Sequence, residues 1–277
     1  MAGEELMIDH LSHSSVSMFL RCPRQWAYRY LEGLPVRRTL GLIRGSAVDH
    51  AASFNLQQKV DTHRDLPAGL VAEAAEDAFI RAVDEAGGRD EVEWEGQTYT
   101  RGLDSTIALT RVHMAQHAPY IQPVAVQERL TRQLPSGRTF VGIIDYRTAD
   151  VVGDIKTGAR RMGQEAADTD LQPSAYAFLL GGPIQFEFAR VIDTGTKQYD
   201  EIVTTQRGER AIRWYEQLVS DVERAIASGI YPPNPQGWWC SERACPFWVR
   251  CQVEQRPPEI GHPRDIAALT AEQEETP

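Results

Sequence analysis

Apolar positions along this 277-residue chain change their period near its middle. Up to about residue 120 they recur at helical spacing, most clearly over 73–86 and 103–117, which predicts an N-terminal helical segment. Over 124–156 the pattern turns to alternation and β-branched runs. VAVQERLTRQL is expected to pair with FVGIIDYR across the turn Pro135-Ser136-Gly137, and DVVGDI to follow after Thr148, Ala149 and Asp150. A helix over 172–180, strands over 184–192 and 198–204, and a long helix over 208–227 complete the pattern. Strands flanked by helices point to an α/β core with a mixed sheet.

Charges inside those apolar runs change the picture. Asp145 ends one run, Asp154 sits in the next, and Lys156 follows at the i+2 spacing that keeps two side chains on one strand face. Ionisable groups seldom enter a buried strand without a partner. Two converging carboxylates can hold a divalent cation that draws in phosphate, and a neighbouring lysine can orient or deprotonate the attacking water. The chemistry indicated is phosphodiester hydrolysis; the alternative is a surface hairpin carrying ordinary charges.

Cysteine placement adds a second centre. Cys22 stands alone in FLRCPRQW, whereas Cys240, Cys245 and Cys251 crowd WWCSERACPFWVRC more than two hundred residues downstream. No secretory feature opens the sequence, so a metal centre is expected rather than disulfides. Spacing alone leaves a structural zinc and an iron-sulfur centre both open. Around Cys22 two short helices are expected, broken at the cysteine, with Ser14 or Ser15 capping the first and Pro23 opening the second.

The residues GIID at 142–145 followed by DIKTG at 154–158 resemble the core of the PD-(D/E)XK nuclease superfamily. The chain is similar above all to its RecB-type branch, which includes the iron-sulfur exonucleases of CRISPR spacer acquisition, the AddB nuclease domain and phage-encoded relatives. That resemblance implies a restriction-endonuclease-like core, a mixed β-sheet flanked by helices, with a C-terminal iron-sulfur region. It implies a [4Fe-4S] cluster on Cys22, Cys240, Cys245 and Cys251, although the C-x4-C spacing here departs from the C-x2-C frequent in relatives. It also implies Mg2+ or Mn2+ held by Asp145, Asp154 and the Ile155 carbonyl. The family's G-x-x-x-H helix corresponds to the segment from Gly45, where the matching position is Asp49 and the histidine is His50. One residue turns a helix by roughly 100°, so either His50, by residue type, or Asp49, by spacing, is expected at the ion. Glu128 resembles the glutamate preceding the first catalytic aspartate. Gln172 and Tyr176 match the branch's Q-x-x-x-Y helix and are expected to reach the lysine or the nucleic-acid backbone.

The activity so implied is a DNA exonuclease of bacterial or phage DNA processing, cytoplasmic in a bacterial host, acting on single strands or duplex ends to leave 5'-phosphates and 3'-hydroxyls. A recombination or CRISPR-related protein partner is also implied. A structure-selective endonuclease and a non-catalytic DNA- or partner-binding module are the rival readings.

The net charge of −10 looks adverse for DNA, but it is concentrated. Residues 71–95 carry nine acidic and two basic side chains and residues 257–277 five and one, which leaves the remainder near neutral. A local basic channel is therefore allowed, with Arg21, Arg24, Arg160 and Arg161 the expected DNA contacts. One elaborated domain is expected over 1–257, comprising a helical part (14–120), a catalytic sheet (124–205) and a helix with the cysteine region (206–252), then a disordered acidic tail (258–277). No apolar run is long enough for a membrane span.

Overall fold

The computed structural model describes residues 10–255. The expected acidic tail lies outside that range. In chain order the elements are β1 (His10–Ser12), α1 (His13–Arg21), α2 (Pro23–Tyr30), α3 (Leu40–Thr62), α4 (Ala68–Glu85), α5 (Tyr99–Gln116), β2 (Ala125–Gln133), β3 (Thr139–Arg147), β4 (Val151–Gly158), α6 (Gln164–Thr169), α7 (Gln172–Leu180), β5 (Ile184–Asp193), β6 (Gln198–Arg207), α8 (Glu209–Ala227) and α9 (Trp248–Gln255). Contacts divide the chain into two compact units, residues 37–217 and the two ends, with the division falling inside α8. Among the described residues no helix is long and apolar enough to cross a membrane.

In the larger unit β2 pairs antiparallel with β3, β3 with β4, and β5 with β6, while β4 and β5 run parallel. A parallel pair needs a crossover, and α6 and α7 supply it. The β2–β3 turn contains Gly137 at φ +88°, as the Pro-Ser-Gly sequence anticipates. Helices α3 and α4 pack together through Leu40, Ile43, Phe79 and Val83, and Tyr99 and Leu103 of α5 pack against them. α7 lays Tyr176 against a sheet face made by Ile144, Val152, Phe186 and Phe188.

The buried guanidinium of Arg207 ties the crossover to the sheet. It donates to Ser174 Oγ, to Thr205 Oγ1 and to the carbonyls of Ala167, Asp168 and Asp170 at 2.7–3.2 Å. It thereby satisfies carbonyls that α6 leaves open at its C-terminus.

The smaller unit is an aromatic cluster around two helices. Trp26 packs edge-on to Phe19 and stacks on Tyr231, and Tyr28 meets Phe247 and donates to Glu254 at 2.7 Å. α1 starts earlier than expected. Ser12 is its N-cap and Ser15 the reciprocating member of a capping box, because the pair satisfies two backbone donors at once. Pro23 opens α2, and Cys22 is the joint between the two helices.

Candidate active site

The β3–β4 ladder is short, with Tyr146 opposite Gly153 and Arg147 opposite Val152. Tyr146 lies across Gly153 so closely that an added Cβ would sit 2.0 Å from its ring, and only glycine allows the overlap. At the next residues the Asp145 carboxylate accepts the Ile155 N–H at 2.7 Å. A side chain thus occupies the place of a ladder carbonyl, and the notch it fills gathers the predicted charges.

Asp154 is buried at 1% side-chain exposure. Its Oδ1 accepts from Lys156 Nζ at 2.8 Å and from Gln172 Nε2 at 2.6 Å, while its Oδ2 has no hydrogen-bond partner. Burial, reinforced by the charges of Asp154 and Asp49, raises the Asp145 carboxyl well above its ordinary value. Burial and then the charge of Asp154 push Asp49 up to about 6, against opposing contributions from Lys156, Gln127 and Ser53. Desolvation would strip the Lys156 proton, but Asp154, Asp145 and Asp49 outweigh it and the ammonium holds its proton more tightly than usual. Three carboxylates therefore share one cation. An orphaned buried oxygen amid surplus negative charge is a donor set that fits a hard divalent ion.

Other predicted residues fall in different places. His50 points elsewhere: its Nε2 lies 3.2 Å from an Arg81 nitrogen on an exposed surface. The helical rotation between positions 49 and 50 directs Asp49, and not His50, to the aspartates. Glu128 is occupied by a two-pronged pair with Arg147 at 2.9 and 3.2 Å and is not brought into the cluster. Gln172 reaches Asp154 rather than the lysine. Tyr176 donates to the Ile143 carbonyl of β3, and Gln172 also donates to Tyr176 Oη at 3.3 Å. Arg160 is exposed, and Arg161 is held at 2.6 Å by Glu201.

The residue absent from the sequence reading is Gln127, next to Glu128. Its backbone is left-handed at φ +50° within β2, between the pairs Val126–Tyr146 and Glu128–Ile144, and its amide donates to Ser53 Oγ at 2.7 Å and to the Asp49 carboxylate at 3.3 Å. A bulky residue seldom holds that conformation. A signal for it existed: counting back through the hairpin from Ser136 sets position 127 against 145.

In the smaller unit the four cysteines line one cavity with Arg24, Gln25, Tyr28 and Trp239. Burial pushes the Cys251 thiol up to about 11, with added contributions from Cys22, Cys245 and Cys240. Backbone N–H of Asn234 approaches Cys22 Sγ at 3.4 Å, and the Gln25 amide approaches Cys245 Sγ at 3.9 Å. Arg21 donates to Gln25 at 3.1 Å, and Arg24 lies over the Tyr28 ring. Both arginines are thus engaged around the thiols.

Residues 10–252 match the family model of the PD-(D/E)XK nuclease superfamily, and the chain belongs to that superfamily. It is accordingly a nuclease by family. Its mixed sheet flanked by helices is a restriction-endonuclease-like arrangement, and such nucleases generally use divalent metals such as Mg2+. The crystal structure of a "putative exonuclease" from Eubacterium rectale is 13% identical and superposes with a TM-score of 0.57, covering 97% of this chain and 98% of that one. At that identity the likeness concerns the fold alone. The crystal structure of SSO0001, 12% identical over 90% of this chain and 88% of that one, has a TM-score of 0.38 and carries no argument. A search of the curated proteins gave no match.

Proposed function

We propose that this chain is a divalent-metal-dependent DNA exonuclease of the RecB-type branch, acting on single strands or duplex ends in bacterial or phage DNA processing, inside the bacterial cell. The observation that carries the reading is the convergence of Asp49, Asp145, Asp154 and Lys156 at the notch between β3 and β4. Asp145, Asp154 and the Ile155 carbonyl would hold Mg2+ or Mn2+, with Asp49 completing the set. When bound, the cation supplies Lewis acidity toward a phosphoryl oxygen and a more acidic water.

The chain's own groups divide the remaining work. Lys156, kept as an ammonium by its neighbours, orients the attacking water and offsets charge on the phosphate. Gln172 fixes the rotamer of Asp154, and Tyr176 anchors β3 at Ile143, so this pair acts by positioning the carboxylates. Gln127 holds Asp49 in the same way. Arg160, exposed just after β4, is an available phosphate contact.

The smaller unit is assigned a [4Fe-4S] cluster on Cys22, Cys240, Cys245 and Cys251. Four thiols lining one cavity support a metal centre there, and the family resemblance favours iron-sulfur, whose ligating sulfurs would take the N–H contacts from Asn234 and Gln25.

The test is incubation of end-labelled linear and closed circular single-stranded DNA with Mn2+. Degradation of the linear substrate with the circle intact is the expected result. Cutting of the circle would indicate an endonuclease, and retention without cleavage a binding module.

A further inference from the structure

Away from the carboxylate notch, α5 and β6 enclose a second set of ligating groups that the hydrolytic reading leaves unused. His113 and His117 sit at i and i+4 on α5 and so share one helix face, and Asp200 meets them from β6. Their side chains are 1%, 2% and 5% exposed. Both histidine Nδ1 atoms lie 3.7 Å from Asp200 Oδ2, and the three ligand atoms fall within 4.8 Å of one another. At 3.7 Å these are not hydrogen bonds.

The independent observation is the want of partners. Both ring nitrogens of His113, Nδ1 of His117 and both oxygens of Asp200 are buried without a hydrogen-bond partner. Leaving five such atoms unsatisfied is costly, at about 1–3 kcal/mol for each group. The surroundings are otherwise ordered around them. His117 Nε2 faces Glu187 Oε1 at 3.6 Å, Tyr146 donates to Glu187, and the Asp200 N–H donates to Gln116 Oε1 at 2.9 Å. Burial also holds the His113 ring below its usual pKa, which favours the neutral imidazole that can ligate.

We infer that His113, His117 Nδ1 and Asp200 form a binding site for a divalent transition-metal ion, Zn2+ by its donor set, which joins α5 to the β5–β6 edge of the sheet. Two imidazoles and a carboxylate suit zinc and not the oxygen-seeking Mg2+. Glu187 Oε1, at 3.6 Å from His117 Nε2 and so beyond hydrogen-bond distance, would on closing in be the carboxylate that fixes its tautomer, the usual arrangement behind a metal-bound histidine. The enclosure of all three ligands gives the ion a structural role.

The test counts zinc on the full chain by plasma emission after dialysis against Zn2+ with excess Mg2+ present, comparing the unmodified chain with His117→Gln and Asp200→Asn. The cysteine residues are the same in all three, so zinc taken by thiols cancels in the comparison. The expected result is one equivalent fewer in each variant, a thermal midpoint raised by Zn2+ only in the unmodified chain, and affinity weakened about 10–100-fold in Glu187→Gln. Co2+ loading should add d–d bands that Asp200→Asn lacks while any thiolate-to-cobalt absorption persists. Equal zinc counts and midpoints in the unmodified chain and Asp200→Asn would overturn the assignment, as would failure of the unmodified chain to take up zinc or cobalt outside the thiols.

Discussion

Gln127 holds a left-handed backbone in the middle of a strand and spends its amide on Asp49 and Ser53. A non-glycine residue pays roughly 1–2 kcal/mol for that conformation. Gln127→Gly is therefore expected to be more stable than Gln127→Ala by about 1 kcal/mol in urea melts, while both variants weaken Mn2+ binding through the loosened Asp49. Asp49 itself gives a pH signature. Its carboxyl is raised from 3.8 to about 6, so between those values the folded chain binds more protons than the unfolded one. The Asp49 contribution to the stability of the metal-free protein should fall as pH rises through that window, and Asp145, also raised, adds to the loss with rising pH. Mn2+ competes with the same protons, and calorimetric titration should find its affinity dropping as pH falls below about 6. Lys156→Ala should lower cleavage by about 10²–10³-fold and spare DNA retention, read from single-turnover kinetics beside filter binding.

At the scale of elements, β2 to β4, α7 and α8 were legible because each had period, turn residues and length in agreement. The sequence read β4 as a charged strand with partners, and Asp154 and Lys156 are partners to each other. α3 was only partly legible. Its buried positions, which include Ile43, Val48, Ala51, Ser53 and Leu56, wrap around much of the helix, so no apolar stripe marks it. The role of Gln172 shifted for a similar reason: the i, i+4 face of α7 was readable, but whether it met Lys156 or Asp154 depended on the crossover angle that Arg207 sets. Arg207→Met should destabilise the protein by about 3 kcal/mol in denaturant melts, since carbonyls at the end of α6 lose a charged donor. Cleavage should fall with it, as Gln172 loosens from Asp154.

For the molecule as a whole, the carboxylates of the β3–β4 notch belong to the larger compact unit and the four cysteines to the smaller. No shift in composition announces the division, which lies within the continuous periodicity of α8. The cysteines were legible as a set because three of them crowd twelve residues, yet their tie to Cys22 rests on chain folding that no local pattern encodes. Cys251→Ala is expected to lose iron and lower the thermal midpoint, because the proposed centre would close a loop of over two hundred residues, and to leave Mn2+ binding at the carboxylates measurable. Iron analysis and differential scanning on anaerobically purified protein check this.

The most direct measurement is Mn2+ binding by calorimetry alongside cleavage of end-labelled linear DNA, for the unmodified chain and for Asp154→Asn at matched thermal stability. The variant is expected to lose both Mn2+ binding at the notch and cleavage. Cleavage at the unmodified rate by Asp154→Asn would contradict the proposed role of Asp154.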